Sequence, residues 1–124
     1  MPTEAAQLLL RSMLNKPLYV ALRTPRDLAR MEQLMEPHLQ WAIAAERRGE
    51  LFASGPFVAD GIPAGTLGGM SIVRAASEDE ARSIIARDPF VAEGAVSIEL
   101  RRWMLMEGGF TVTVRLSDQS SRLL

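Results

Sequence analysis

Apolar positions along this chain switch between helical spacing and strand alternation, and the switches mark its elements. Between Thr3 and Lys16, Ala6, Leu9, Leu10, Met13 and Leu14 recur at helical spacing, with Thr3 suited to the N-cap and Asn15-Lys16-Pro17 to the stop. Residues 17–23 are rich in strand formers and place Leu18, Val20 and Leu22 on one side, Tyr19, Ala21 and Arg23 on the other. Thr24-Pro25 is expected to open a helix that runs through Leu28, Met31, Met35, Leu39, Ala42 and Ile43 to Gly49. Pro37 lies inside that run, so a kink is expected there, or a break with a second helix beginning near it.

Strand patterns return at 50–54, closed by Gly55-Pro56, and at 69–75, with loop chemistry (Asp60-Gly61, Pro63, Gly65) between them. Ser77 and Glu80 have the spacing of a capping box, and the helix they start turns Ala81, Ile84 and Ile85 inward before ending near Asp88. Residues 95–104 alternate again, Gly108-Gly109 is a turn, 110–115 is a last strand and 117–124 a loose tail. The middle of this order, β-α-β-β-α-β, is the ferredoxin-like arrangement of an α+β domain. Its single sheet leaves one face to be covered, which a small domain commonly achieves by pairing with a copy of itself. Met70, Ile72 and Val73, with Trp103, Met104 and Leu105, give the third and fourth strands apolar residues on both sides, as a doubly buried sheet requires. The expected division is a helical extension over 1–16, the ferredoxin-like domain over 17–107, and a strand and tail over 108–124.

Composition narrows the chemistry. The 124 residues carry 14 Lys and Arg against 15 Asp and Glu, a formal net charge of -1, which argues against phosphate-neutralising nucleic-acid binding. No basic block or long apolar run points to a membrane, no secretory signal is legible, and the expected location is the cytoplasm. Cysteine is absent, which removes disulfides and thiolate chemistry, and with His38 the lone histidine no His-rich metal centre is expected within a subunit. Gly61 to Gly69 lacks the phosphate-loop pattern, in which a Lys is followed by Ser or Thr, and no metal or organic cofactor is expected.

His38 is the side chain whose unperturbed titration lies nearest neutrality. Helical geometry sets it beside Leu34, Met35, Trp41 and Ala42, at the edge of the apolar stripe. It reads either as a half-buried histidine bonded to backbone or as a general acid or base in a pocket between helix and sheet. Asp88, ahead of Pro89 and Phe90, reads on its own as the end of a helix. Bonded to His38, it would fix the ring's tautomer and leave the other nitrogen as a base. Ser54 and Gly55 end a strand where a hydroxyl and backbone amides can meet an anion, although most Ser-Gly-Pro turns bind nothing. Trp41, Phe57 and Phe90 are the aromatics expected to line a pocket beside the pair. The methionines at 31, 35, 70, 104 and 106 read as core filler.

Taken together, Pro37-His38-Leu39, Gly49-Glu50-Leu51, Ser54-Gly55-Pro56, Gly69 to Arg74, Glu80-Ala81, Asp88-Pro89-Phe90-Val91 and Gly94 resemble the YCII-related (YciI-like) family, from Leu18 to Trp103. The resemblance implies a ferredoxin-like domain that forms a dimeric α+β barrel, as in muconolactone isomerase. It also implies an active site centred on a His and an Asp, here His38 and Asp88. One branch of that family removes chloride from a chlorinated hydroxyhydroquinone without metal or organic cofactor. Members often carry an Arg three residues before the His, where this chain has Met35, so an anion contact from that position is not expected. The leading expectation is a cofactor-free enzyme for isomerisation or elimination on a small organic molecule, working as a homodimer or a higher oligomer. The alternatives are a non-catalytic small-ligand or accessory module and, last, a purely structural oligomer.

Overall fold

Alternation along Lys16–Pro25 (β1) turns Tyr19 and Ala21 into one core and Val20 and Leu22 to the opposite face. This computed structural model describes residues 1–123, and Leu124 lies outside the described residues. After β1 come α2 (Leu28–Arg47), β2 (Leu51–Pro56), β3 (Gly69–Val73), α3 (Glu78–Ala86), the short α4 (Pro89–Ala92) and β4 (Val96–Leu105). Ahead of β1 lies α1 (Glu4–Ser12), and after β4 lie β5 (Val112–Val114) and β6 (Ser121–Leu123). By packing, Pro17–Met104 forms one compact unit, and Met1–Lys16 with the residues from Leu105 on forms another.

In the larger unit the strand order is β2-β3-β1-β4, with β3 antiparallel to both β1 and β2. This is the mixed α+β, ferredoxin-like layout that the chain order predicts. Tyr19, Ala21, Leu51 and Val73 of the sheet bury against Ala45 of α2 and Ala81, Ile84 and Ile85 of α3, so both helices cover the same face. Met31 and Leu34 of α2 form a second cluster with Phe90, Ala95 and Val96. The methionines expected as filler divide accordingly. Met31 is buried, whereas Met35 and Met104 are exposed.

Several local expectations are corrected. Thr24 and Pro25 stay in β1, because the amides of Arg26 and Asp27 both donate to Ala95 O (2.8 and 3.2 Å) and hold the chain extended past the proline. Asp27 is the N-cap of α2, its Oδ1 accepting from Arg30 N at 3.0 Å. The helix runs unbroken through Pro37 over 20 residues. The proline costs the bond to the Gln33 carbonyl, but buried contacts at Met31, Leu34 and Ala45 anchor the helix on both sides. Ser77 caps α3 as expected, while the Glu80 carboxylate accepts from Ala76 N rather than from Ser77 N. β3 is buried along most of its length, but the far half of β4 is not, with Trp103 38% and Met104 44% exposed.

The smaller unit holds α1, capped by Thr3 Oγ1 on Ala6 N at 3.1 Å, with none of its residues buried. The last expected strand is shorter than its pattern and pairs with β6 in a two-stranded ladder, Val112 opposite Leu123. The stretch expected as a loose tail thus supplies a strand, because β5 finds its hydrogen bonds there.

Candidate active site

Three strands, α2 and the cap of α4 bring one polar cluster together. Arg23 ends the inward row begun by Tyr19 and Ala21, and its partner in the ladder is Gly69, which adds no side chain. The next inward position on β3 is Ser71, and Ser54 of β2 is in register with it. Arg23 Nε donates to Ser71 Oγ at 2.7 Å, and Ser54 Oγ lies 2.8 Å from Ser71 Oγ. From α2, His38 Nδ1 lies 2.8 Å from Asp88 Oδ1, and Arg23 Nη1 donates to Asp88 Oδ2 at 2.6 Å.

Asp88 is placed by a backbone device. It is the N-cap of α4, Pro89 occupies the first turn, and the Phe90 amide donates to Asp88 Oδ1 at 3.0 Å. The carboxylate is fully buried. Burial by itself pushes its titration up. The bond from His38, the Arg23 and His38 charges and the Phe90 amide outweigh that push and hold the carboxyl below its ordinary value. An ionised carboxylate only accepts, so Nδ1 of His38 carries a proton, and whenever the ring is uncharged its lone pair is on Nε2. The Phe90 ring stacks on the imidazole at 3.9 Å between centroids and 8° between planes, and fixes the ring's tilt. Trp41 lies 6.2 Å from the imidazole and 5.8 Å from the Arg23 guanidinium carbon, within cation–π range. Arg23 Nη2 and Trp41 Nε1 are buried with no partner among the described residues.

A cavity of about 620 Å³ opens beside this cluster. Arg23, His38, Ser54, Gly55 and Phe90 line it, between α2, β2 and the loop that carries Gly65 and Gly68. Asp88 does not line it. The pocket expected beside the pair is therefore reached by one member alone: His38 faces it, and Asp88 stands behind the ring. Trp41 packs against Arg23 and His38 without lining the cavity, because its side of α2 faces the core cluster. Phe57, 45% exposed, borders a separate hollow of about 250 Å³ with Met70 and Ile72 on the opposite sheet face.

Arg23 and Ser71 are the members that sequence reasoning missed. The signal was available for Arg23, which shares its strand face with Tyr19 and Ala21. A cation in a row of buried positions must find a partner. The loop's glycines have a structural reason as well. Gly68 has φ +81, and a Cβ there would stand 2.1 Å from Arg23 O.

Among the described residues no helix is long and apolar enough to cross a membrane, and no group of three or more His, Asp or Glu could hold a metal ion. A search of curated proteins returns no match. Among solved structures the chain is similar to 5-chloro-2-hydroxyhydroquinone dehydrochlorinase from Burkholderia phenoliruptrix AC1100, in complex with 2,5-dihydroxybenzoquinone. The identity is 25%, the TM-score 0.56, and the match covers 69% of this chain and 92% of that one. The YCII-related domain model matches residues 18–104, the unit that carries the whole cluster, and the chain belongs to that family.

Proposed function

We propose that this protein is a cofactor-free enzyme that uses His38 for acid–base chemistry, of isomerisation or elimination type, on a small organic molecule. The observation that carries the reading is the 2.8 Å bond from His38 Nδ1 to a buried, ionised Asp88, with the imidazole lining the cavity. Nε2 takes a proton from a hydroxyl or an activated carbon of the bound molecule. In an elimination the electron pair so released expels the leaving group, and the imidazolium later returns its proton to water. Asp88 does not touch the substrate. It holds the tautomer and compensates the imidazolium as it forms, and Arg23 holds Asp88 in turn. Ser54 and Gly55 sit where substrate oxygens would meet a hydroxyl and backbone amides, and Phe90 packs the ring in place. The similarity to a dehydrochlorinase supports the elimination branch.

The proposed working unit is a homodimer closed through the sheet face turned away from the helices, where Val20, Leu22 and Met70 are only half-buried. The test is turnover of chlorinated hydroxyhydroquinones, followed by chloride release, for the wild type and His38→Gln. A loss of about a hundred- to ten-thousandfold in kcat with the fold retained is expected. Wild-type turnover that His38→Gln leaves unchanged rejects the acid–base role. Ligand binding without turnover selects the non-catalytic module.

A further inference from the structure

The core of α2 uses Met31, Leu34 and Ala45. A second stripe on the same helix, Met35, Leu39 and Ile43, is 40%, 50% and 48% exposed. These three stand four residues apart, in a line about 12 Å long on one side of the helix. Phe52 of β2, 40% exposed, joins them, and all four line the cavity beside His38. Single exposed apolar residues need no explanation, but a contiguous set around the mouth of a cavity marks a surface that is covered in use. Polar groups are few and sorted. Arg23, His38 and Ser54 meet in the cluster on Asp88 and Ser71, and Glu46 is the other charged side chain of the lining. Arg23, which lines this polar end, is more than nine-tenths buried and is held on Asp88 and Ser71, so a cation is fixed at one end of the cavity. A cavity of about 620 Å³ lies in the range that holds a drug-sized ligand rather than one bare ring.

We infer that the site takes an acidic-oxygen ring compound carrying an apolar substituent, with the oxygen at Arg23, His38 and Ser54 and the substituent lying over Leu39, Ile43 and Phe52. This rests on the reading of His38 as the ligand-facing group. It goes further by assigning substrate selection to the α2 stripe. Leu39 and Ile43 are specificity residues that take no part in proton transfer.

The experiment is a binding series, read by calorimetry on the full chain, with 2,5-dihydroxybenzoquinone and its 3-alkyl derivatives from methyl to hexyl. Affinity is expected to rise about three- to fourfold for each methylene that reaches the stripe. Leu39→Asn and Ile43→Asn are exposed substitutions, expected to flatten the rise. His38→Gln is expected to weaken every member alike. A flat series, or a rise that neither stripe variant alters, overturns the inference. If His38→Gln still weakens the parent ring in that case, the His38 reading survives it. Binding that falls in neither His38→Gln nor the stripe variants overturns both. Should Ile43→Asn instead dissociate an assembly with affinities unchanged, the stripe is a subunit contact and the inference falls.

Discussion

Arg23 Nη1 lies 2.6 Å from Asp88 Oδ2, so the carboxylate that orients His38 is itself held by a cation from the neighbouring sheet. The pair joins β1 to the start of α4 across 65 residues of chain, with the carboxylate fully buried and the arginine side chain 9% exposed. A buried pair of this kind gains little over a well-packed apolar pair, but removing one member strands the other charge. Arg23→Met is therefore expected to destabilise the fold by about 3–5 kcal/mol. Arg23→Met combined with Asp88→Asn should recover part of that loss. Urea unfolding of the two single variants and the double variant gives the coupling energy, and strictly additive losses would show that the contact carries none.

The same carboxyl sets an acid limit on stability. Its folded titration lies below its unfolded value, so between the two the unfolded chain binds more protons. The contribution is whole above the ordinary carboxylate range and is lost as pH falls through the folded value. The wild-type urea midpoint should drop on acidification through that window. Asp88→Asn, less stable at neutral pH, should show a shallower acid limb, and parallel limbs for the two proteins would contradict this assignment.

Gly68 links the loop over the cavity to the site. Its φ is +81, and a methyl on its Cα would stand 2.1 Å from Arg23 O, which leaves no room for a side chain. Gly68→Ala should lose at least about 1–2 kcal/mol from the left-handed backbone alone. The clash must also shift the end of β1 that carries Arg23. Thermal unfolding measures the first effect, and a drop in ligand affinity larger than the stability loss accounts for measures the second.

Sedimentation tests the proposed dimer. Met70 points away from the helices, since Ser71 beside it points toward them. Met70→Asp is expected to give a folded monomer where the wild type sediments as a dimer. A wild type that sediments as a monomer, or a Met70→Asp variant that remains dimeric, excludes that face.

Much of this is legible from local rules. Period-two and helical spacing, Ser77 at a cap and Gly49 after a helix locate the elements of the larger unit, because each depends on neighbours a few residues away. His38 and Asp88 stand out for the same reason, one as the lone imidazole and the other by its place before a proline. The boundary between β1 and α2 at Thr24-Pro25 escapes such rules because the decisive partner, Ala95 O, is distant in sequence. The strand at Ser121–Leu123 escapes them because a short edge with few apolar residues acquires its pairing from β5 alone.

Sequence by itself determined which groups were available: one imidazole, no thiol, and balanced charge on an α+β pattern. Tertiary structure decided which of them meet. Strand order puts β1 beside β3 and α2 over both, so Arg23, Ser71, His38 and Asp88 share one cluster although up to 65 residues separate them. It also decided that the imidazole, and not the carboxylate, faces the cavity. Periodicity names the face of an element a residue occupies, whereas the depth of that residue behind its neighbours depends on how separate elements pack.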